Sequence, residues 1–323
     1  MLKLSIHFSF RLFKSNKKNI NKSREVTPSP HFLSKANDIV ASLEGCRAKS
    51  TIGNYKTALR SFAQFVGDDV RIDSIDAHLI EGYQQWLISQ GVSQNSISCY
   101  MRSLRSLLHL TAPDTKRMAL FDTVFTGKMY TEKRAISVDE IGMLRQLSFP
   151  SESPLQFSRD IFLFSLYAMG MPFVDIAFLQ KRQIRDGYIV YHRHKTGQRV
   201  RVRIEEPMWQ IINSYACDDS PLVFPILKDS PNMLDYESAR SKYNRHLKEI
   251  GRMIDVQRPL TSYVARHSWA SIAYHSNVDL AVISKALGHT SPQTTLTYIR
   301  EIDDFRIDQA NEQMLKSFFP PYR

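Results

Sequence analysis

The sequence predicts a mainly α protein with one small β-sheet, divided into two domains. Three observations carry this. Apolar residues recur at three- and four-residue spacing in both halves of the chain. One interior stretch, Tyr188 to Ile204, alternates instead with period two. The 323 residues suffice for two cores of ordinary size, and the helical periodicity breaks between Ala112 and Arg134.

Residues 1–13 alternate apolar Leu2, Leu4, Ile6, Phe8, Phe10 and Leu12 with polar residues, a strand pattern whose charges exclude a signal peptide. A basic tail follows, with Lys14, Lys17, Lys18, Lys22 and Arg24, and Pro28 and Pro30 close the segment 1–30. The tail reads equally as a solvated end or as a short arm on a polyanion.

Four helices are expected over 31–112. Tyr55, Leu59, Phe62 and Phe65 form one stripe, Ile75, Leu79, Trp86 and Leu87 the next, and Ile97, Met101, Leu104, Leu107 and Leu108 the last. These stripes are core. Lys49, Lys56, Arg60, Arg102 and Arg105 lie off them, and their single sign points to phosphate contacts. Residues 113–134 read as a basic linker.

A second domain is expected over 135–316, opening with a capping box at Ser137 and Glu140. Helices follow at about 138–147 and 155–170, the latter apolar nearly all round and therefore buried. In the hairpin, Val200, Val202 and Ile204 alternate with Arg199, Arg201 and Arg203, and Lys195-Thr196-Gly197-Gln198 forms the turn. Trp209, Ile212 and Tyr215 share a helix face after Pro207, and another helix spans Asp235–Gly251. Three short helices end the domain. The first is expected to be capped by Thr261 or Ser262, the second follows Asp279 and stops at Gly288, and the third opens at Ser291-Pro292. A tail, 317–323, carries Phe318, Phe319 and Tyr322 around Pro320-Pro321.

Composition narrows the partners. A formal net charge of +11 and a pI near 9.5 favour a polyanion. Cys46, Cys99 and Cys217 lack metal-ligand spacing and read as buried thiols in a reducing cytoplasm. No apolar run is long enough to span a membrane, and no metal-ligand set is present.

The reactive groups of the last three helices sit at their ends: Arg266-His267, Leu287-Gly288-His289, and Tyr298. An arginine, an imidazole and a phenol gathered there make a phosphate site with a nucleophile. In this order and spacing they resemble the second catalytic box of the tyrosine recombinases (phage-integrase family). The stretch Ser-Tyr-Val-Ala-Arg-His-Ser-Trp-Ala is similar to the branch found in Bacteroides-type bacteria, and the likeness covers roughly residues 30 to 315. It implies a SAM-like core-binding domain and a catalytic domain forming a C-shaped clamp on double-stranded DNA. It also implies a homotetramer acting on two sites through a Holliday junction, with accessory DNA-bending proteins as further partners and no cofactor.

The resemblance assigns roles as well. Tyr298 attacks to give a 3′-phosphotyrosyl bond, Arg266 holds the phosphate bidentately, His289 donates to the pentavalent state, and Lys195 protonates the leaving 5′-oxygen. The sequence departs from the family twice. Tyr263 stands where the His of His-x-x-Arg is usual, and His267 reads as a structural residue at the helix start. In the first box, Gly170-Met-Pro-Phe-Val-Asp175 keeps the acidic residue but places Pro172 at the catalytic arginine. Arg193 is the expected replacement, on the reasoning that it shares a strand face with Lys195. Lys181 and Arg182 are weaker candidates. A protein that kept the fold and lost turnover is the rival reading, and Pro172 is the feature that raises it.

Overall fold

The computed structural model describes residues 30–113, 119–129, 135–150, 153–227, 233–296 and 304–318. The N-terminal strand pattern and basic tail lie outside these residues, as do Tyr298 and Phe319–Arg323. Two compact units divide between Tyr130 and Thr131.

The first unit has four helices, α1 (Phe32–Ser42), α2 (Lys49–Val66), α3 (Ala77–Ser89) and α4 (Gln94–Thr111). Each apolar stripe expected from the sequence turns inward. Leu59, Phe62, Leu87, Ile97, Met101, Leu104, Leu107 and Leu108 are buried together, with Tyr55, Phe65, Leu79 and Trp86 packed against them. Ile75 is buried too, but it precedes α3, whose N-cap is Asp76 accepting from Leu79 N–H at 2.8 Å. Part of the expected linker belongs here as well. Phe121 and Val124 sit in this core, and Ser98 Oγ donates to the Gly127 carbonyl. Two apolar side chains outweigh the broken periodicity and hold the segment on the unit.

In the second unit, α5 (Val138–Gln146) starts with the expected capping box: Ser137 Oγ accepts from Glu140 N–H at 3.1 Å, and Glu140 accepts from Ser137 N–H at 2.6 Å. Helix α6 (Pro154–Tyr167) is buried along nearly its whole length. It stops earlier than expected because Met169 and Gly170 both take positive φ. The five-residue α7 (Phe173–Ala177) follows, with Pro172 at its N-cap, where a missing N–H costs nothing. An antiparallel sheet comes next: β1 (Ile184–Arg185), β2 (Tyr188–His192) and β3 (Arg199–Arg203) in the order 1-2-3. Ile189, Tyr191, Val200 and Val202 face the core, while Arg199, Arg201 and Arg203 face solvent.

Helices α8 (Glu206–Ser214), α9 (Met233–Met253), α10 (Val264–His275), α11 (Leu280–Ala286), α12 (Pro292–Leu296) and α13 (Asp304–Phe318) complete the described chain. Asp279 caps α11, accepting from Ala281 N–H at 2.7 Å. The expected Thr261 or Ser262 cap of α10 is not used. Tyr263 is the N-cap residue, and Ser262 N–H instead donates to Asn244 Oδ1 at 2.8 Å. Cys46, in the turn after α1, and Cys217, in the irregular segment after α8, are exposed rather than buried, and Cys99 is half-buried. Among the described residues, no helix is long and apolar enough to cross a membrane.

Candidate active site

Two guanidinium groups meet on one carbonyl. Arg266 lies in the first turn of α10 and is 2% exposed. Its Nη1 donates to Gly170 O at 2.9 Å and its Nη2 to Leu287 O. Arg193, 5% exposed, donates from Nη1 to the same Leu287 O at 2.9 Å and to Gly288 O at 3.3 Å. The orphan carbonyls at the C-terminus of α11 thus serve as the acceptors, the end of a helix where cations are favoured.

Two glycines permit this approach. At Gly170 (φ +69°) an added Cβ would lie 2.8 Å from Arg266 Cα. At Gly288 (φ +61°) it would lie 2.6 Å from Arg193 Cδ and 2.9 Å from Val200 Cγ2. Gly288→Ala is therefore expected to displace Arg193 and to destabilise the unit by about 1–3 kcal/mol, the usual range for overpacking. Urea unfolding of the variant beside the parent checks the stability.

One carboxylate faces the two arginines. Asp175 Oδ2 is 3.8 Å from Arg193 Nε, and Oδ1 accepts from His194 N–H at 2.9 Å. Burial raises the Asp175 carboxyl above its ordinary pKa, opposed by the His194 N–H and the Arg193 guanidinium. Among the described residues, Asp175 is the carboxylate that acts on these two buried cations.

His289 stands beside them. Its Nε2 lies 3.1 Å from Arg266 Nη2, and its Nδ1 lies 2.9 Å from Thr295 Oγ1 on α12. Guanidinium can only donate, so Nε2 is the acceptor and the ring proton sits on Nδ1. Burial first, then Arg266, Arg193 and Lys195, push the imidazole pKa down to about 4. His289 is therefore neutral at pH 7. The folded pKa lies below the unfolded one, so the unfolded chain binds the extra proton, and this residue's stabilising contribution is lost as pH falls from about 6.5 towards 4.

Lys195 is exposed on the β2–β3 turn, close enough to His289 to act on it electrostatically. The shared strand face expected for Arg193 and Lys195 is absent. Strand β2 ends at His192, and Arg193 N–H donates to Gln198 O while Gly197 N–H donates to Arg193 O. That tight turn sends Arg193 inward and leaves Lys195 outside. Lys181 is tied to the Cys217 carbonyl, and Arg182 is exposed. Tyr263 is 44% exposed, with its ring 5.6 Å from that of His267. His267 N–H donates to Tyr263 O at 3.2 Å, within the first turn of α10. Thr295, fully buried, is a site residue the sequence reading missed, and Gly170, read there only as the start of the first box, accepts from Arg266. In the first unit, Lys49, Lys56, Arg60 and Arg102 are exposed and Arg105 is half-buried. Lys56 pairs with Glu44 at 2.6 Å, and Arg102 Nε donates to Ser98 O.

The family model described as the phage integrase family matches residues 137–304, and that of the phage integrase SAM-like domain matches residues 31–114. This chain belongs to the phage integrase family. Tyrosine recombinase XerD of Staphylococcus aureus is 26% identical over 264 residues, covering 78% of this chain and 88% of the relative. XerD of Staphylococcus epidermidis is 26% identical over 262 residues with the same coverage. A lambda integrase dimer bound to a COC′ core site superposes with a TM-score of 0.66 at 15% identity, covering 85% of this chain and 98% of that one. The Tn1549 transposon integrase in complex with transposon right end DNA gives 0.63 at 13% identity, with 89% and 99% covered. At these identities the two structures share the fold: a SAM-like helical domain and a catalytic domain with a small sheet.

Proposed function

We propose that the chain is a site-specific DNA recombinase that cuts and rejoins duplex DNA through a 3′-phosphotyrosyl intermediate. One observation carries the reading: Arg266 and Arg193, both buried, converge on Leu287 O, with the Asp175 carboxylate beside Arg193 and a neutral imidazole beside Arg266. Together these donors make an electrophilic clamp suited to a phosphate. Seated there, the scissile phosphate takes hydrogen bonds from both guanidinia. His289 releases Nε2 from Arg266 and donates to a non-bridging oxygen after its proton shifts between the ring nitrogens. Lys195 protonates the leaving 5′-oxygen, and Tyr298 attacks phosphorus from the side opposite that oxygen. Tyr263 stands at the edge of the site as a further hydrogen-bonding group. In this reading Arg193 takes the place that Pro172 vacates, which answers the rival of a fold without turnover.

In the first unit, Lys49, Lys56, Arg60, Arg102 and Arg105 contact the phosphate backbone. We assign 31–112 to DNA core binding and 135–316 to catalysis, with 317–323 as the tail that joins protomers. Four protomers hold two duplexes, with DNA-bending proteins as possible accessories. The phosphotyrosyl bond conserves the energy of the linkage it replaces, so neither a nucleotide nor a metal is required. Two duplexes carrying the flanking site of this gene are therefore expected to yield recombinants in buffer containing EDTA and no ATP. Products that appear only with added metal would refute the mechanism.

A further inference from the structure

A second cationic surface lies on the opposite side of the sheet from the core. Strand β3 presents Arg199, Arg201 and Arg203 to solvent on one face, paired in register with His192, Val190 and Tyr188 of β2. Exposed Arg182 and Arg185 join them from the β1 side, around a groove of about 620 Å³. Arg201 stacks on Tyr188, with its guanidinium carbon 3.5 Å from the ring centre. Arg185 Nε donates to the Arg182 carbonyl at 3.2 Å. Two carboxylates lie nearby: Asp186 on the groove wall and Glu205, 3.4 Å from Arg203. Five arginines thus face two acidic groups on a surface that no step of the proposed cleavage uses.

We infer that this outer sheet face is a track for the sugar–phosphate backbone of duplex DNA, separate from the site that holds the scissile phosphate. Alternate residues of a strand are about 6.8 Å apart on one face, so Arg199 and Arg201 suit successive phosphates of one DNA strand, whose separation along the wound backbone well exceeds the axial rise of about 3.4 Å. Arg199 is the first residue of β3 after the turn that bears Lys195, so the track begins near the active site and leads away from it. Guanidinium forks suit phosphate oxygens, and the stack on Tyr188 lowers the cost of ordering one of them. The inference rests only on the DNA-binding part of the proposed function.

The test is a salt titration of the full chain on a blunt duplex of arbitrary sequence, comparing the parent with Arg199→Ala/Arg201→Ala. Each neutralised phosphate adds about 0.9 to the slope of log affinity against log salt, so the double variant should lower that slope by about 1.8. Between about 50 and 200 mM salt the parent should then lose roughly tenfold more affinity than the variant. Arg199→Lys/Arg201→Lys keeps the charge and should keep the parental slope. An unchanged slope in the alanine pair overturns the track, and leaves an acidic protein as the better-fitting occupant. Loss of slope in the lysine pair also overturns it, because the effect is then structural. Covalent-adduct yield on cleavable DNA is read separately. A parent that binds DNA with the expected slope but never forms an adduct refutes the recombinase reading, not the track.

Discussion

Arg193→Ala is expected to lower DNA cleavage by at least two powers of ten while DNA affinity barely changes. Loss of one donor to a developing oxyanion typically costs about 2.7–4 kcal/mol, and many other cations hold the duplex. The structure adds a second consequence. Removing Arg193 deprives the buried Asp175 of the guanidinium 3.8 Å away, so the unit should also lose stability. Arg193→Lys separates the two effects, keeping the charge near Asp175 but losing the planar fork. It should restore much of the stability and little of the cleavage. Arg182→Ala, which removes an exposed side chain, should leave cleavage close to parental. Pro172→Arg should not rescue Arg193→Ala fully. The Pro172 carbonyl accepts from Asp175 N–H at 2.9 Å and Ile176 N–H at 3.1 Å, and its fixed φ sets that helix start. Parental cleavage by Arg193→Ala would remove Arg193 from the mechanism.

Tyr298→Phe is expected to abolish covalent protein–DNA adducts with almost no change in affinity, because only the nucleophilic oxygen is lost. A phenol with a pKa near 10 is a poor nucleophile at neutral pH unless positive charge stabilises the state it creates. The paired arginines supply that charge, so Tyr298→Phe combined with Arg193→Ala should be no worse than Tyr298→Phe alone. Adducts that persist in the phenylalanine variant would reassign the nucleophile, with Tyr274 and Tyr263 next to test.

Much of this was legible in the sequence. Amphipathic spacing in Tyr55–Phe65 and Ile97–Leu108, the capping box at Ser137 and the Asp279 cap all correspond to the structure. Local chemistry decides such features, so local residues report them. Strand β1 was missed, although Asp186-Gly187, with φ of 49° and 74°, is a strong hairpin turn signal. Linker residues Phe121 and Val124 were misplaced because burial is decided by partners distant in sequence. The site shows the same division. Arg266 and His289 were recognisable from motif spacing. Arg193 was singled out by a strand-phase argument that the turn contradicts, and it reaches Leu287 O across 94 residues of sequence. Thr295 matters through a contact that no local pattern encodes, while Gly170, visible in the first box, matters through its close approach to Arg266.

The most direct measurement is to trap the parent on a nicked duplex taken from the locus flanking its gene, then identify the DNA-linked peptide by mass spectrometry. The account predicts a stable adduct with a single 3′-phosphotyrosyl bond at Tyr298. No adduct on that duplex, or attachment through any other residue, would contradict it.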